Sequence, residues 1–288
     1  MRMSCGPVYP RRPAALRCRH RRRTLEIRLT LRTVTATRYV TPLREGGSLP
    51  AVVEADDDGL YVLKFRGAGQ GRKALVAELV AGELARAAGL PVPEIVFVEL
   101  DPELARTEPD PEIQELIKAS AGVNLALDYL PSAVTFDPLA FRPDAGLASR
   151  IVWLDGFISN VDRTARNSNL MVWHDKLWLI DHGAALYFHH HWEGFMARST
   201  SPFALIKDHV LLPFADELAQ ADATMSAALT PAVIAAVVAL IPDDWLEDDP
   251  LFADKAAQRT AYRDYLASRL QAPRAFFEEA QRARSLHV

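Results

Sequence analysis

The sequence ISNVDRTARNSNLMVWHDKLWLIDHG extends from Ile158 to Gly183 and sets three polar side chains around two short apolar runs. Asp162 precedes Asn167 by five residues, and Asp181 follows the second apolar run. Phosphoryl transfer depends on positioning the attacking hydroxyl and on neutralising phosphate charge with Mg²⁺. In such a site Asp162 would accept or orient the hydroxyl proton, whereas Asn167 and Asp181 would supply oxygen ligands to Mg²⁺. The spacing therefore predicts a phosphoryl-transfer site.

The two apolar runs predict a β-hairpin that brings the ends of this stretch together. Its strands would be residues 170–173 and 177–180, with a polar turn at 174–176. Because a hairpin returns the chain, Asp181 would lie near Asn167, and Asn169 is the alternative ligand two residues further on. Upstream, apolar residues at helical spacing predict a helix that fixes the loop to a core. They are Leu147, Ile151, Leu154 and Ile158.

Polar turns offer a second interpretation of the same residues. Asp-Arg and Asn-x-Asn are common in turns, and an Asp followed by Gly two positions later often only ends a strand. The apolar hairpin together with Asp181-His182-Gly183 after it favours the phosphoryl-transfer interpretation.

Length and composition limit the classes of protein that the chain can represent. With 288 residues and 49% hydrophobic content it can bury a sizeable core in one large or two smaller lobes. The net charge of −4 gives no global basic character that would indicate nucleic-acid binding. No apolar run reaches the roughly 18 residues that a membrane span needs. The two cysteines, Cys5 and Cys18, exclude a disulfide scaffold and a cysteine metal site, and they fit a cytoplasmic location.

Residues 1–32 differ in composition from the rest of the chain. They contain ten arginines, both cysteines and a single acidic residue, Glu26, without apolar periodicity. Such a segment cannot pack a core, and we expect it to be a disordered extension. Three origins fit it: a targeting peptide, a nucleic-acid-binding arm, or a start codon assigned too far upstream, which we favour. We assign no chemistry to it.

The next seventy residues predict strands around one helix. β-prone runs occur at 33–40, 51–54, 60–65 and 94–100, and residues 73–88 are rich in the helix formers Ala, Leu and Glu. The helix would end at Gly89, a C-cap glycine. Gly46, Gly47 and Ser48, between the first two strands, could lie over phosphates through their backbone N–H groups or form a plain hairpin turn.

Lys64 is the one lysine inside the strand at residues 60–65. A strand lysine needs an anion nearby if it is buried, although an exposed edge lysine does not. Glu78 and Glu83 are the only acids of the predicted helix. One of them could pair with Lys64, as a strand lysine and a helix glutamate do in protein kinases, or both could be solvated.

Taken in order, these motifs resemble the protein-kinase-like fold and in particular the HipA-like kinases. The resemblance covers roughly residues 35–215. It is carried by the glycine loop, by Lys64 in VLKF, by the helix that leads into GLPVPE at residues 89–94, by Asn160-Val161-Asp162-Arg163 with Asn167, and by Asp181-His182-Gly183.

The resemblance implies an α+β, two-lobed protein-kinase-like fold. Residues 33–130 would form an N-lobe made of an antiparallel sheet plus one helix. Residues 131–288 would form a mainly helical C-lobe that carries the catalytic loop and the metal-binding hairpin.

The resemblance also implies a role for each site residue. Asp162 looks like the catalytic base, Asn167 and Asp181 look like the Mg²⁺ ligands, and Lys64 looks like the lysine that binds the α- and β-phosphates. Glu78 lies eleven residues before Gly89, where the family's helix acid sits, and is preferred to Glu83. The nucleotide would also meet the glycine loop and the backbone of the linker Asp128-Tyr129-Leu130.

The function implied is that of an ATP- and Mg²⁺-dependent phosphotransferase, a HipA-like serine/threonine protein kinase of bacterial type. It would pass the γ-phosphate to a hydroxyl, most simply on a protein, and a regulatory protein partner is compatible with it. A small-molecule or lipid kinase on the same fold is the alternative enzyme, because fold does not fix substrate. A pseudokinase that binds a partner is the non-catalytic alternative. The chain keeps the lysine, both aspartates and the asparagine, which counts against the last.

Overall fold

Five strands close into a barrel in the first half of the chain. The computed structural model describes residues 29–43, 49–69 and 71–286. The barrel strands lie in the order β1-β2-β3-β5-β4. Their bounds are Thr33–Pro42 for β1, Ala51–Ala55 for β2, Leu60–Lys64 for β3, Ile95–Leu100 for β4 and Gly122–Asp128 for β5. Alternate residues of these strands, among them Val34, Val53, Leu63 and Val98, fill the interior.

The barrel closes through a parallel pairing of β1 with β4, in which Thr33 lies opposite Phe97. The other four pairings are antiparallel. The predicted antiparallel sheet is therefore wrong at this seam. The pairing joins segments more than sixty residues apart, and strand periodicity identifies strands without stating which of them are neighbours.

Helix α1 (Gly71–Ala87) lies between the barrel and the helical part of the molecule, where it packs against both β4 and the later helix α6 (Pro231–Val238). Every residue from Leu75 to Ala85 is buried. The chain leaves the helix through Gly89 at a φ of +73°, a conformation that favours glycine and ends helices. The predicted helix and its C-cap are confirmed.

A second helix, α2 (Pro111–Ala119), follows β4, so the prediction of one helix in this region is wrong. The Asp110 side chain accepts a hydrogen bond from the Glu112 N–H at 2.9 Å and caps the helix, with Pro111 at its first position. Ile113 and Ile117, one turn apart, are buried against the barrel interior. The acidic, proline-containing composition of residues 101–118 concealed these start signals.

The second half of the chain is mainly helical and contains one small sheet. Its helices are α3 (Ala145–Ile158), α4 (Phe195–Arg198), α5 (Leu218–Ala228), α6, α7 (Lys255–Leu270) and α8 (Ala275–Ser285). The sheet runs β6-β7-β8, with bounds Val134–Thr135, Leu170–Trp173 and Lys176–Leu179. Pro273 lies in the break between α7 and α8. Among the described residues no single helix is long and apolar enough to cross a membrane, and one bent pair, α5 with α6, passes that test by length and composition only.

Residues 29–32 precede the predicted boundary of the folded part and are described by the structure. Leu29 and Leu31 pack against the main core. Arg32 forms ion pairs with Asp57 at 2.7 Å and with Glu94 at 2.9 Å. These contacts tie residues 29–32 to the main core and to the barrel, whereas the sequence placed them in the extension. Residues 1–28, which make up most of the predicted extension, lie outside the described residues.

Candidate active site

Lys64, at the end of β3, is the point at which three distant parts of the sequence meet. Its Nζ lies 2.5 Å from Oε2 of Glu78 in α1 and 2.5 Å from Oδ1 of Asp181, which follows β8. The lysine side chain is 14% exposed. Burial lowers the pKa of Lys64, but the two carboxylates outweigh burial and raise it above its ordinary value. Lys64 therefore carries its charge at the edge of the cleft.

Glu78 is the helix acid that contacts Lys64, and it has no exposed surface. Burial alone would raise the pKa of its carboxyl. The charge of Lys64 and the hydrogen bonds of His182 outweigh burial and lower this pKa to about 2. Glu83 instead lies 3.4 Å from Arg86, and burial raises its pKa. The two acids are five residues apart, about 140° around the helix, so only one of them can face the cleft.

The loop after α3 presents Asp162. The helix ends at Ser159, whose φ is +53°, and the Asn160 side chain then accepts a hydrogen bond from the Asp162 N–H at 3.2 Å. Asn167 Nδ2 donates to Asp162 Oδ2 at 2.8 Å. Asn169 Nδ2 donates to the Asp162 backbone oxygen at 3.1 Å and to Oδ2 at 3.3 Å. Both candidate asparagines thus hold the same carboxylate.

The hairpin predicted from the apolar runs is confirmed by the pairing of β7 with β8. Leu170 lies opposite Leu179, and a two-residue turn at His174 and Asp175 connects the strands. The Ile180 N–H donates to the Asn169 backbone oxygen at 3.1 Å, which extends the pairing by one step. The residue beside Asp181 in the hairpin is therefore opposite Asn169.

A buried group of charged side chains under the loop was missed by sequence reasoning. Asp155 of α3 accepts hydrogen bonds from Arg163 Nε at 2.5 Å and from Asn160 Nδ2 at 3.0 Å, and its Oδ2 lies 2.8 Å from His209 Nε2. Burial raises the pKa of Asp155, but Arg163 and His209 outweigh it and hold the pKa well below its usual range. Arg163 Nη1 also donates to the backbone oxygens of Asn169 and Ile180.

Arg163 consequently ties the loop that bears Asp162 to the hairpin that bears Asp181. The only sign of this role in the sequence is that Arg163 directly follows Asp162. Asp155 and His209 gave no such signal, because they lie on other elements and reach the group only through the fold.

Two of the three backbone N–H groups of the predicted adenine linker already form hydrogen bonds within the barrel region. The Asp128 N–H donates to the Glu94 oxygen at 2.8 Å, and the Tyr129 N–H donates to the Leu60 oxygen at 2.9 Å. The Leu130 N–H has no partner among the described residues. The glycine loop at Gly46, Gly47 and Ser48 lies outside the described residues.

The cleft has an apolar floor next to Lys64. Val62 lies two residues before Lys64 and so on the same face of β3, and it is paired with Val52 on one side and Leu127 on the other. Sequence reasoning missed this row, although the spacing of Val62 from Lys64 could have revealed it. Around Lys64 and Asp181 the cleft is lined further by Phe65, Ala68, Gly71, Ala74, Leu75 and Gly183.

The donor set fits a Mg²⁺–nucleotide. Asp181 and the two asparagines offer the hard oxygen atoms that Mg²⁺ prefers, and Lys64 offers a positive charge for phosphate. A Cβ on Gly183 would lie 3.5 Å from Asp181 Oδ1, so this glycine borders the carboxylate directly. Within the described parts of the chain, no group of three or more His, Cys, Asp or Glu side chains could hold a metal ion. The buried His189 ring lies 3.0 Å from the Tyr262 hydroxyl.

Comparison with solved structures places the fold among kinases. The Helicobacter pylori proinflammatory kinase CtkA has a TM-score of 0.53 and 11% sequence identity, with 89% of this chain and 99% of that chain covered. A Golgi casein kinase with Mn/ADP bound has a TM-score of 0.48 and 12% identity, with 89% of this chain and 73% of that chain covered. No curated protein matches the chain.

The family is shown by a sequence model rather than by these distant structures. The model described as HipA-like kinase matches residues 37–277, which is most of the chain. The resemblance drawn from the motifs is therefore confirmed. This chain belongs to the HipA-like kinase family and is a kinase.

Proposed function

We propose that this kinase is an ATP- and Mg²⁺-dependent serine/threonine protein kinase that transfers the γ-phosphate to a hydroxyl of a protein acceptor. The contact of Lys64 with both Glu78 and Asp181 carries the proposal, since it assembles a phosphate-binding cation and a metal-binding carboxylate in one cleft. The barrel with α1 would form the nucleotide side of a two-lobed molecule, and the helical part would present Asp162. A cytoplasmic location and a regulatory partner remain predictions from the sequence.

In this proposal each residue has a defined task. Lys64, held by Glu78, binds the α- and β-phosphates, and the Leu130 N–H binds the adenine edge while Val52 and Val62 pack on its ring. Asp162 accepts the proton of the acceptor hydroxyl as its oxygen attacks the γ-phosphorus, and the bond from that phosphorus to the β,γ-bridging oxygen breaks so that ADP leaves. Mg²⁺, when bound, would neutralise charge on the phosphates.

The contacts favour Asn169 over Asn167 as the asparagine that joins Asp181 in holding the metal. Asn169 is 8% exposed, and its amide nitrogen is engaged by Asp162, so its side-chain oxygen is fixed in direction. Its backbone oxygen also accepts a hydrogen bond from Ile180, the residue directly before Asp181. Asn167 is exposed and donates to Asp162 Oδ2, which suits it to orienting the base.

Thermal unfolding with ATP, with and without Mg²⁺, tests the cleft. Ligand that binds only the native state stabilises it by about 2.7 kcal/mol at a hundredfold excess over Kd. We expect a Mg²⁺-dependent rise of the midpoint that is lost in Asp181→Ala and kept in Asp264→Ala, an exposed aspartate of α7 used as the matched control. No rise with millimolar ATP would overturn the proposal.

Phosphate transfer tests the reaction and the acceptor. With γ-labelled ATP we expect label on serine or threonine of protein acceptors, and Asp162→Asn should bind ATP normally but transfer no label. Undiminished transfer by Asp162→Asn would refute the role of this residue. Label found only on small molecules or lipids would replace the protein acceptor by the alternative substrate class.

A further inference from the structure

His182, between Asp181 and Gly183, has no part in the proposed reaction yet is completely buried against α1. Its backbone N–H donates to Glu78 Oε2 at 2.8 Å, and its Nδ1 lies 3.4 Å from Glu78 Oε1. Glu78 Oε2 is the same oxygen that contacts Lys64. The Glu78 carboxylate therefore contacts Lys64 and also His182, which belongs to the metal-ligand segment, residues 181–183.

Chemistry decides which ring nitrogen of His182 bears the proton. An ionised carboxylate only accepts hydrogen bonds, so Nδ1 must be the donor towards Glu78. The Nε2 atom is buried and has no partner among the described residues. A buried polar atom without a partner costs about 1–3 kcal/mol. The histidine is thus held at a cost in stability, which a purely structural position would avoid with an apolar ring.

The surroundings of His182 make the contact close. Gly82 of α1 faces the ring, and a Cβ there would lie 3.9 Å from His182 Nδ1 and 2.5 Å from Ile95 Cδ1. The ring therefore lies against the face of α1 that carries Glu78 and Gly82.

We propose that His182 is a positioning residue that joins the lysine–glutamate pair to the metal-ligand segment, so that Lys64 and Asp181 are held as one unit. The proposal rests on the proposed function, because a fixed distance between Lys64 and Asp181 matters only if both meet the same nucleotide. It predicts that His182 acts through Glu78 and not through general stability.

Paired substitutions test this route. His182→Phe keeps a ring but removes the hydrogen-bond donor. His182→Asn keeps a donor nitrogen bonded to Cγ, as Nδ1 is in histidine. We expect His182→Phe to lower kcat/KM for ATP by about five- to tenfold, as for loss of one typical hydrogen bond, and His182→Asn to recover most of it. His191→Phe, in the same segment but exposed and away from Glu78, is the control and should match the wild type.

A double-mutant cycle separates positioning from packing. In a Glu78→Gln background, His182→Phe should change kcat/KM by less than about twofold, because coupled residues are not additive. Full additivity, or equal loss in His182→Phe and His182→Asn, would overturn the proposal. Wild-type protein that binds no Mg²⁺–ATP would instead remove the proposed function.

The tautomer gives a readout that needs no activity. Long-range ¹H–¹⁵N spectra of histidine-labelled protein, assigned by comparison with His182→Asn, should show the His182 proton on Nδ1. A ring protonated only on Nε2 would contradict the contact with Glu78 even if the protein proves to be an active kinase.

Discussion

At the residue scale, two asparagines are candidates for the metal ligand beside Asp181, and their surroundings differ. Asn167 and Asn169 both donate to Asp162, but only Asn169 is buried and has its backbone paired with Ile180, the residue before Asp181. A metal ligand gains from a side chain whose orientation is fixed by neighbours, because less ordering is needed when the ion binds. These contacts are the reason that our proposal prefers Asn169, a choice that the spacing alone could not make.

Asn169→Gly should abolish the Mg²⁺-dependent part of the ATP-induced rise in thermal midpoint. Glycine removes the side chain without strain, since Asn169 has a φ of +49° that alanine tolerates poorly. Asn167→Ala should keep the rise and lower kcat, because it removes only a donor to Asp162. The reverse pattern would assign the metal to Asn167.

At the scale of elements, a single arginine from α7 connects the helix, loop and aromatic ring beneath the catalytic loop. Arg269 is 3% exposed and donates to the oxygens of Gly156 and Phe157, each at 2.8 Å, near the C-terminal end of α3. It also donates to the oxygens of Ser199 and Ser201 and lies 5.0 Å from the ring centre of Phe276. A cation is favoured at the end of a helix, where carbonyl groups lack partners.

Burial lowers the pKa of Arg269, and no carboxylate among the described residues forms an ion pair with it. Its stabilising effect therefore comes from four carbonyl hydrogen bonds. The same contacts fix the end of α3 from which the chain enters Ser159 and the loop of Asp162.

Arg269→Met should lower the free energy of unfolding by about 2–4 kcal/mol, because it leaves buried carbonyls without donors. Arg269→Lys should be almost as destabilising, since one ammonium group cannot reach four oxygens in different directions. Urea unfolding measures both, with Arg263→Met on the exposed face of the same helix as the control within about 0.5 kcal/mol. Wild-type stability in Arg269→Lys would contradict the multi-carbonyl role.

At the scale of the whole molecule, buried histidines couple the fold to pH. His189 contacts Tyr262, and His209 contacts Asp155. Burial lowers the pKa of both rings, most strongly that of His189, while Asp155 partly offsets it at His209. Both are therefore neutral in the folded protein at a pH where the unfolded chain takes up protons.

The free energy of unfolding should fall as pH decreases below 6.5, the ordinary histidine pKa. The contribution of each buried histidine is fully present above that value and is lost as pH falls towards its lower folded pKa. The slope is at most about 1.4 kcal/mol per pH unit for each proton. His189→Phe should reduce the slope between pH 6.5 and 5, and the exposed His191→Phe should not, as urea unfolding at several pH values would show. An unchanged slope in His189→Phe would contradict this origin.

Local patterns in the sequence were sufficient for much of the fold. The hairpin of β7 and β8, helix α3 and the end of α1 at Gly89 each depend on signals within a few residues: alternation, helical spacing and a C-cap glycine. The spacing of Asp162, Asn167 and Asp181 singled out the site region in the same way. Helix α2 also carried local signals, in Asp110 and Pro111, which composition concealed.

By itself, the sequence determined which segments are strands and helices, and which residues are candidates for chemistry. Only the tertiary structure decided the parallel closure of β1 on β4 and the positions of His182, Arg163 and Arg269. It also shows Lys64 in contact with Glu78, the acid that the family resemblance preferred to Glu83. The physical reason is that side-chain periodicity is set by neighbours along the chain, whereas these contacts join residues of different elements, up to 117 positions apart for Lys64 and Asp181. Such pairings depend on how buried surfaces and charges can be satisfied together, which no single segment specifies.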